Sequence, residues 1–379
     1  MIDVVSLAQR LIQFPSVTPA GPEIFQFLDD LLTSLGFTVR RPVFHDVSSH
    51  HVENLYAYRP GSVGAAHLGF IGHVDVVAPG PEHLWHYPAF SGTIADERLY
   101  GRGAADMKGA IAAFITAAAQ TTMPLSLLLT GDEEGPAVNG IAKLLPWILA
   151  HGMMADAFLV GEPTSTTCLG DTVKIGRRGS LNTTVISHGQ QGHVAYPHLA
   201  MNPIDPLIDF LHALQHHTLD DGTSEFDPSQ LIITTIDVNN PTTNMIPAST
   251  TAHFNIRFNT HHTGESLMSW VMAQAAAFGI DAHCTLSAEP FLSQPHALHD
   301  IVISAITRVT HVTPQKSTSG GTSDARFAQV YRPVIEFGLV NHTIHQVNEN
   351  TPLQDLHNLQ AVYHHVMADF SAFYEKASC

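Results

Sequence analysis

Positive charge is scarce in this 379-residue chain. Lys and Arg together number 17 against 34 Asp and Glu, which leaves a formal charge of −17 with histidine neutral. A surface of that sign repels nucleic acid and anionic lipid, so neither is expected as a partner. An anionic small molecule would have to be met by a few arginines set against that background. Cysteine is nearly absent too. Cys168, Cys284 and Cys379 lie far apart and form no CxxC pair. That argues against a disulfide framework and for reduced, structural thiols in a cytoplasmic protein. No apolar run approaches the roughly 20 residues that a bilayer-spanning helix needs; the longest, GAIAAFITAAA at 109–119, is short and rich in alanine. The start, MIDVVSLAQRL, lacks the basic region of a secretory leader, so no signal peptide is expected.

What is present is a globular composition, 44% hydrophobic and 13% charged, in a chain longer than one core usually serves. Two domains are therefore expected. Histidine is in surplus at 26 residues. The HH pairs at 50–51, 216–217 and 261–262 read as solvated, and no motif accounts for the surplus as a whole.

Apolar residues at helical spacing predict helices over 3–13 and 23–35, with Asp3 near the start of the first. Residues 66–72, LSLLLTG at 125–131 and AFLVG at 157–161 are short unbroken apolar runs, as buried parallel strands are. A Gly-rich loop and helix (GRGAADMKGAIAAFITAAAQ) separates the first two, and GIAKLLPWILAHG can cross over between the second and third. This alternation predicts a layered α/β domain with a mostly parallel sheet. The pattern changes near 180. SLNTTVISHG, LIITTIDVNN, TTAHFNIRFNT and DAHCTLSAE alternate with period 2, and helices are predicted at 203–217 and 264–279. Helix 298–310 and the segment beyond return to the first character. The reading is a catalytic domain of residues 1–179 and 293–379, interrupted by a smaller α+β domain at 180–292.

The run GFIGHVDVV sets His73 and Asp75 two positions apart where a buried strand ends. Residues i and i+2 of a strand face one way. The carboxyl edge of a parallel sheet is also where ligands bind. Asp75 can then accept from one imidazole nitrogen and leave the other for a metal, or the two can simply cap a strand end. Carboxylates follow the other runs: Asp132, Glu133 and Glu134 after 125–131, and Glu162 after 157–161, with Asp106 at the mouth of a helix. Asp106 alone could be an N-cap and Glu162 a loop residue. Adjacent Glu133 and Glu134 beside a buried strand are costly unless a cation compensates them. Imidazole and carboxylate without thiolate suit zinc, cobalt or manganese in a catalytic site, and the excess of acids suits a metal pair.

The segments GHVDVV, GRGAADMKG, TGDEEG, GEPT, GRRGSL, GHVAYPH, NPI, NMIPA, GGTSDARF and TIHQVNE follow one another along nearly the whole chain. Together they resemble the M20 family of dinuclear zinc amidohydrolases. The resemblance implies that His73 and Glu162 hold one zinc, Glu134 and His345 the other, and that Asp106 bridges them, with cobalt a possible substitute. It implies that Asp75 orients His73 and that Glu133 is general base, then acid. It implies a homodimer joined through the 180–292 domain, in which His193 reaches the partner's site and stabilises the oxyanion. It also implies that Arg177, Ser180, Tyr196, Asn244, Arg257, Gly321 and Thr322 line the site of a small anionic substrate. Ser319 and the segment GLVN at 338–341 depart from the family's usual Gly and GPLN, which bears on fine specificity. A sister deacylase such as an acetylornithine deacetylase or aminoacylase, an exopeptidase, and a metal-binding protein without catalysis are the competing readings.

Overall fold

A computed structural model of the chain describes residues 2–47, 49–61 and 65–377. It divides into two compact units. One runs up to Ile175 and resumes over Ser293–Ser317 and from Ser323 onward; the other comprises Gly176–Leu292 and Thr318–Thr322.

The first unit is built on a mixed, mostly parallel sheet. Leu125–Thr130, Leu68–His73, Ala157–Val160 and Val334–Glu336 lie side by side in that order, all parallel. Every residue of the four is buried, which is why the first three read as unbroken apolar runs. His73 stands opposite Thr130, Ile71 opposite Val160 and Val160 opposite Glu336, so the four carboxyl ends share one edge. Ser49–Arg59 and Thr38–Arg40 add antiparallel strands on one side, Thr172–Lys174 and Gln315–Ser317 on the other.

The helices follow the predicted periods closely. Val4–Ile12 is capped by Asp3, whose carboxylate accepts the Ser6 N–H at 2.8 Å. Ile141–Ala150 crosses between the second and third apolar runs. Lys108–Ala118 is buried along all eleven residues and packs against Val4–Ile12 and the last helix, Leu353–Ala377. Gly109 has a steric reason here: a Cβ would overlap the Ala104 carbonyl, so only glycine lets the 101–106 loop fold onto the helix start. Several elements are absent from the sequence reading, the long last helix Leu353–Ala377 among them, and so is one small sheet. Thr93–Ala95, Arg98–Tyr100 and Asn350–Pro352 form a three-stranded antiparallel sheet. Strands of three residues are too short to show a period.

In the second unit a four-stranded antiparallel sheet runs Gln230–Asp237, Ser249–Phe258, Gly179–His188, Asp281–Ala288. Leu181, Val185, Phe254, Ile256 and Phe258 pack with Leu207, Phe210 and Leu214 of helix Ile204–Gln215 and Leu267 and Val271 of helix Gly264–Ala277. The unit begins earlier than residue 180 because Gly176–Arg177 pairs with Phe291–Leu292. It captures Thr318–Thr322 through hydrogen bonds from Arg177 Nη1 to the Gly321 carbonyl, 3.0 Å, and from the Thr318 hydroxyl to the Glu225 carbonyl. The edge strand Gln230–Asp237 exposes two apolar side chains, Ile232 and Ile236, at 57% and 59%. Cys168 is exposed and Cys284 half-buried, both free; Cys379 lies outside the described residues. Among the described residues no helix is long and apolar enough to cross a membrane.

Candidate metal centre

Five side chains converge at the shared strand edge as two overlapping groups: His73, Asp106 and Glu162, and Asp106, Glu134 and His345. Within each group the potential ligand atoms lie within 4.8 Å of one another. His73 is the last residue of its strand and is buried. Its Nε2 faces Asp106 Oδ1 at 3.0 Å and Glu162 Oε1 at 3.8 Å. The other Asp106 oxygen, Oδ2, faces His345 Nε2 at 3.4 Å, and that nitrogen is 2.9 Å from Glu134 Oε1. Asp106 thus turns one oxygen to each histidine. His345 is held with φ at 60°, a left-handed backbone conformation uncommon outside glycine and found where a site demands it.

The role read for Asp75 needs correction. The His73 Nδ1–H donates to the Asp75 main-chain carbonyl at 2.9 Å, while the nearer carboxylate oxygen is 3.8 Å away. The carboxylate instead accepts the N–H groups of Glu133 and Glu134, at 3.2 and 3.0 Å, and the Thr18 hydroxyl at 2.7 Å. Strand geometry ends at His73, so the i, i+2 rule no longer aims Asp75 beside it. Asp75 serves the histidine through its backbone and the two glutamates through its side chain. Asp132, the other acid of TGDEEG, accepts the Asn139 N–H at 3.4 Å and so holds its own turn.

Packing so many acids together shifts them strongly. Burial opposes charge on His73, yet Asp106, Glu162 and Asp75 hold its imidazole well above the ordinary value. Hydrogen bonds donated to Asp106 and Glu134 push His345 up to about 10. Burial, then Asp106 and Glu133, raises Glu162 well above the usual carboxyl range. Burial also raises Glu133, to about 8, with Asp324 and Glu134 adding to it. Asp106 goes the other way: burial would raise it, but donors on His345 and His73 draw it below its ordinary value. In the metal-free protein at pH 7, His345 therefore carries a proton that a metal must displace. Loading with Zn²⁺ should release the His345 proton, and affinity should climb with pH, roughly tenfold per unit for each proton displaced. Calorimetry in buffers of different ionisation heat measures the release; loading without it would contradict this protonation state.

The remaining residues expected at a site lie in the second unit. His193 pairs in register with Met245, its ring is 5.7 Å from that of Tyr196, and the Asn244 carbonyl accepts the Val194 N–H at 3.1 Å. His193, Tyr196 and Asn244 thus share one small hairpin region. Ser180 is opposite Arg257 on neighbouring strands, and Arg177 meets Gly321, next to Thr322. Burial and then Arg178 lower the Arg257 guanidinium. Sequence reasoning passed over Asp324. It is only 2% exposed, and neither carboxylate oxygen has a hydrogen-bond partner among the described residues. Ser323 next to it donates to Glu336 Oε1 at 2.9 Å, which anchors this segment at the same strand edge. The segment GGTSDARF holds the signal, an acid two residues after the Gly–Thr pair.

Histidines and carboxylates grouped at the carboxyl edge of parallel strands, with a further glutamate beside them, define a metal-dependent hydrolase. The chain belongs to peptidase family M20/M25/M40, whose profile matches residues 69–369. It is 49% identical over 374 residues to the succinyl-diaminopimelate desuccinylase of Rhodospirillum centenum, covering 96% of each chain. It is 47% identical over 371 residues to the protein of the same name from Caulobacter vibrioides, covering 96% of this chain and 94% of that one. Among solved structures, an M20 family metallo-carboxypeptidase from Sulfolobus solfataricus shares the fold, with a TM-score of 0.80 at 17% identity over 98% of this chain and 100% of that one.

Proposed function

We propose that this chain is a succinyl-diaminopimelate desuccinylase. It hydrolyses the amide of N-succinyl-LL-2,6-diaminopimelate to succinate and LL-2,6-diaminopimelate, in the cytoplasmic synthesis of lysine and cell-wall precursors. The observation that carries the reading is near-half identity, over almost the full length of both chains, to proteins of that name. The residues at the strand edge support it. Two zinc ions, or cobalt in their place, would be held by His73 and Glu162 and by Glu134 and His345, with Asp106 available to both. A bound metal pair polarises the amide carbonyl and makes water more acidic. Glu133, held by its N–H on Asp75, takes the proton of the attacking water and returns it to the leaving amine. Arg177 and Arg257 are the cations for the substrate's carboxylates, with Ser180, Tyr196, Asn244, Gly321 and Thr322 supplying hydrogen bonds.

The working form is a homodimer joined through the second unit, with His193 of each chain donating to the oxyanion in its partner's site. Exposed Ile232 and Ile236 on an edge strand support such a pairing, because an uncovered apolar edge invites association.

Steady-state kinetics on a panel of amides tests the substrate. N-succinyl-diaminopimelate should exceed N-acetylornithine, a neutral N-acyl amino acid and a dipeptide in kcat/KM by roughly 10²-fold or more, since buried polar groups built for its carboxylates stay unpaired with the others. Preference for acetylornithine or the dipeptide would assign the chain to a sister activity. Metal-loaded protein that cleaves none of them would favour a binding role.

A further inference from the structure

Glu349 belongs to neither metal cluster, yet it is fully buried and its carboxylate is spent on the loop that carries Asp106. Oε2 accepts Arg102 Nη1 at 2.7 Å and the Gly103 N–H at 3.1 Å. Oε1 accepts the N–H groups of Ala105 and Asp106, at 3.0 and 3.1 Å. The Glu349 carbonyl accepts a fifth hydrogen bond, from the Gly101 N–H at 2.9 Å, and Asn350 then pairs in register with Tyr100. Arg102, which compensates the charge, is itself 2% exposed; it lies 5.5 Å from the centre of the Trp85 ring and reaches the Ala78 carbonyl. Four residues before Glu349 is His345.

We propose that Glu349 is a positioning residue for the metal pair. By clamping the main chain at 103, 105 and 106 it sets the aim of the Asp106 carboxylate, and it ties that carboxylate to the segment bearing His345. This rests on the reading of the two clusters as a metal centre. The two clusters do not depend on the clamp equally. His73 has support of its own from the Asp75 carbonyl and is buried, so its cluster keeps one fixed ligand when the Asp106 loop loosens. His345 is exposed and sits on the very segment that Glu349 anchors. The ion at Asp106, Glu134 and His345 is therefore the one that loses most. Groups that orient metal ligands in this way are commonly worth 10–100-fold in affinity.

The test is titration of the metal-free full-length protein with Co²⁺, followed by calorimetry and visible absorption, with a thermal melt of each metal-free variant. Wild type should bind two ions. Glu349→Gln keeps the size but offers an amide NH₂ where a loop N–H or Arg102 needs an acceptor. It should weaken one ion by about 10–100-fold and alter the cobalt spectrum while the metal-free protein still melts cooperatively. The double variant Arg102→Met, Glu349→Gln removes the unpaired charge and should keep the weakened ion. Both ions binding with wild-type affinity and spectrum, whatever the loss of melting temperature, would reduce Glu349 to a structural role and overturn the proposal. If the glutamine variant does not fold, Glu349→Asp retains the charge on a shorter arm and must show the same weakening; wild-type affinities there overturn it equally. A wild-type protein that binds fewer than two ions would sink the metal-pair reading itself, a different failure.

Discussion

Glu133→Gln should lower kcat by about 10²–10⁴ and leave the metal content of the protein unchanged, because a positioned proton carrier contributes that much to a barrier and nothing to the metal's hold. The geometry separates it from its neighbour. Glu134 lies 2.9 Å from His345 and belongs to a cluster, whereas Glu133 belongs to neither. Both peptide N–H groups rest on the Asp75 carboxylate, so the substitution keeps the turn that aims them. Glutamine matches the shape of glutamic acid and cannot cycle a proton. Burial, with Asp324 and Glu134 nearby, raises the Glu133 carboxyl to about 8 in the metal-free protein. Metal analysis and steady-state rates on the same preparation decide the matter. A variant that loses its metals along with its activity would exchange the roles of Glu133 and Glu134.

Two inactive variants should restore activity to each other when their subunits are exchanged. Glu133→Ala removes the proposed proton carrier from the first unit, and His193→Ala removes the proposed oxyanion donor from the second. If His193 serves its partner's site, a mixed dimer has one site with both defects and one with neither, so activity returns from a background near zero. If His193 serves its own chain, every site keeps one defect and mixing restores nothing. The second unit holds no metal cluster among its described residues, so a catalytic role for His193 must be exercised on chemistry located elsewhere. Sedimentation of the active enzyme as a monomer would also refute the proposal. Substituting Ile232 or Ile236 by lysine gives a further handle, because a charge on the exposed edge strand opposes pairing without touching the unit's core.

Local order was legible in this sequence wherever the cause of order is itself local. The helix Val4–Ile12 shows its apolar spacing and its Asp3 cap within a dozen residues, and Gly264–Ala277 shows its period. The strands around 68–73, 125–130 and 157–160 announce themselves because burial on both faces requires an unbroken apolar run. Which chemistry gathers at their ends was also legible, since the carboxyl edge of parallel strands is shared and each run ends in a histidine or a carboxylate. The partner that each polar atom takes was decided only by the tertiary structure. Asp75 stands two residues from His73, yet its carboxylate goes to peptide groups 58 and 59 positions away, because the chain leaves strand geometry at once. Glu349 reaches Arg102 across 247 positions through a sheet whose strands are too short to leave a period. Thr318–Thr322 joins the second unit through Arg177 and Glu225 although it is flanked in sequence by the first. Periodicity records which side of an element is buried, and consecutive residues encode it; hydrogen-bond partners depend on where the chain returns, which no short stretch of sequence contains.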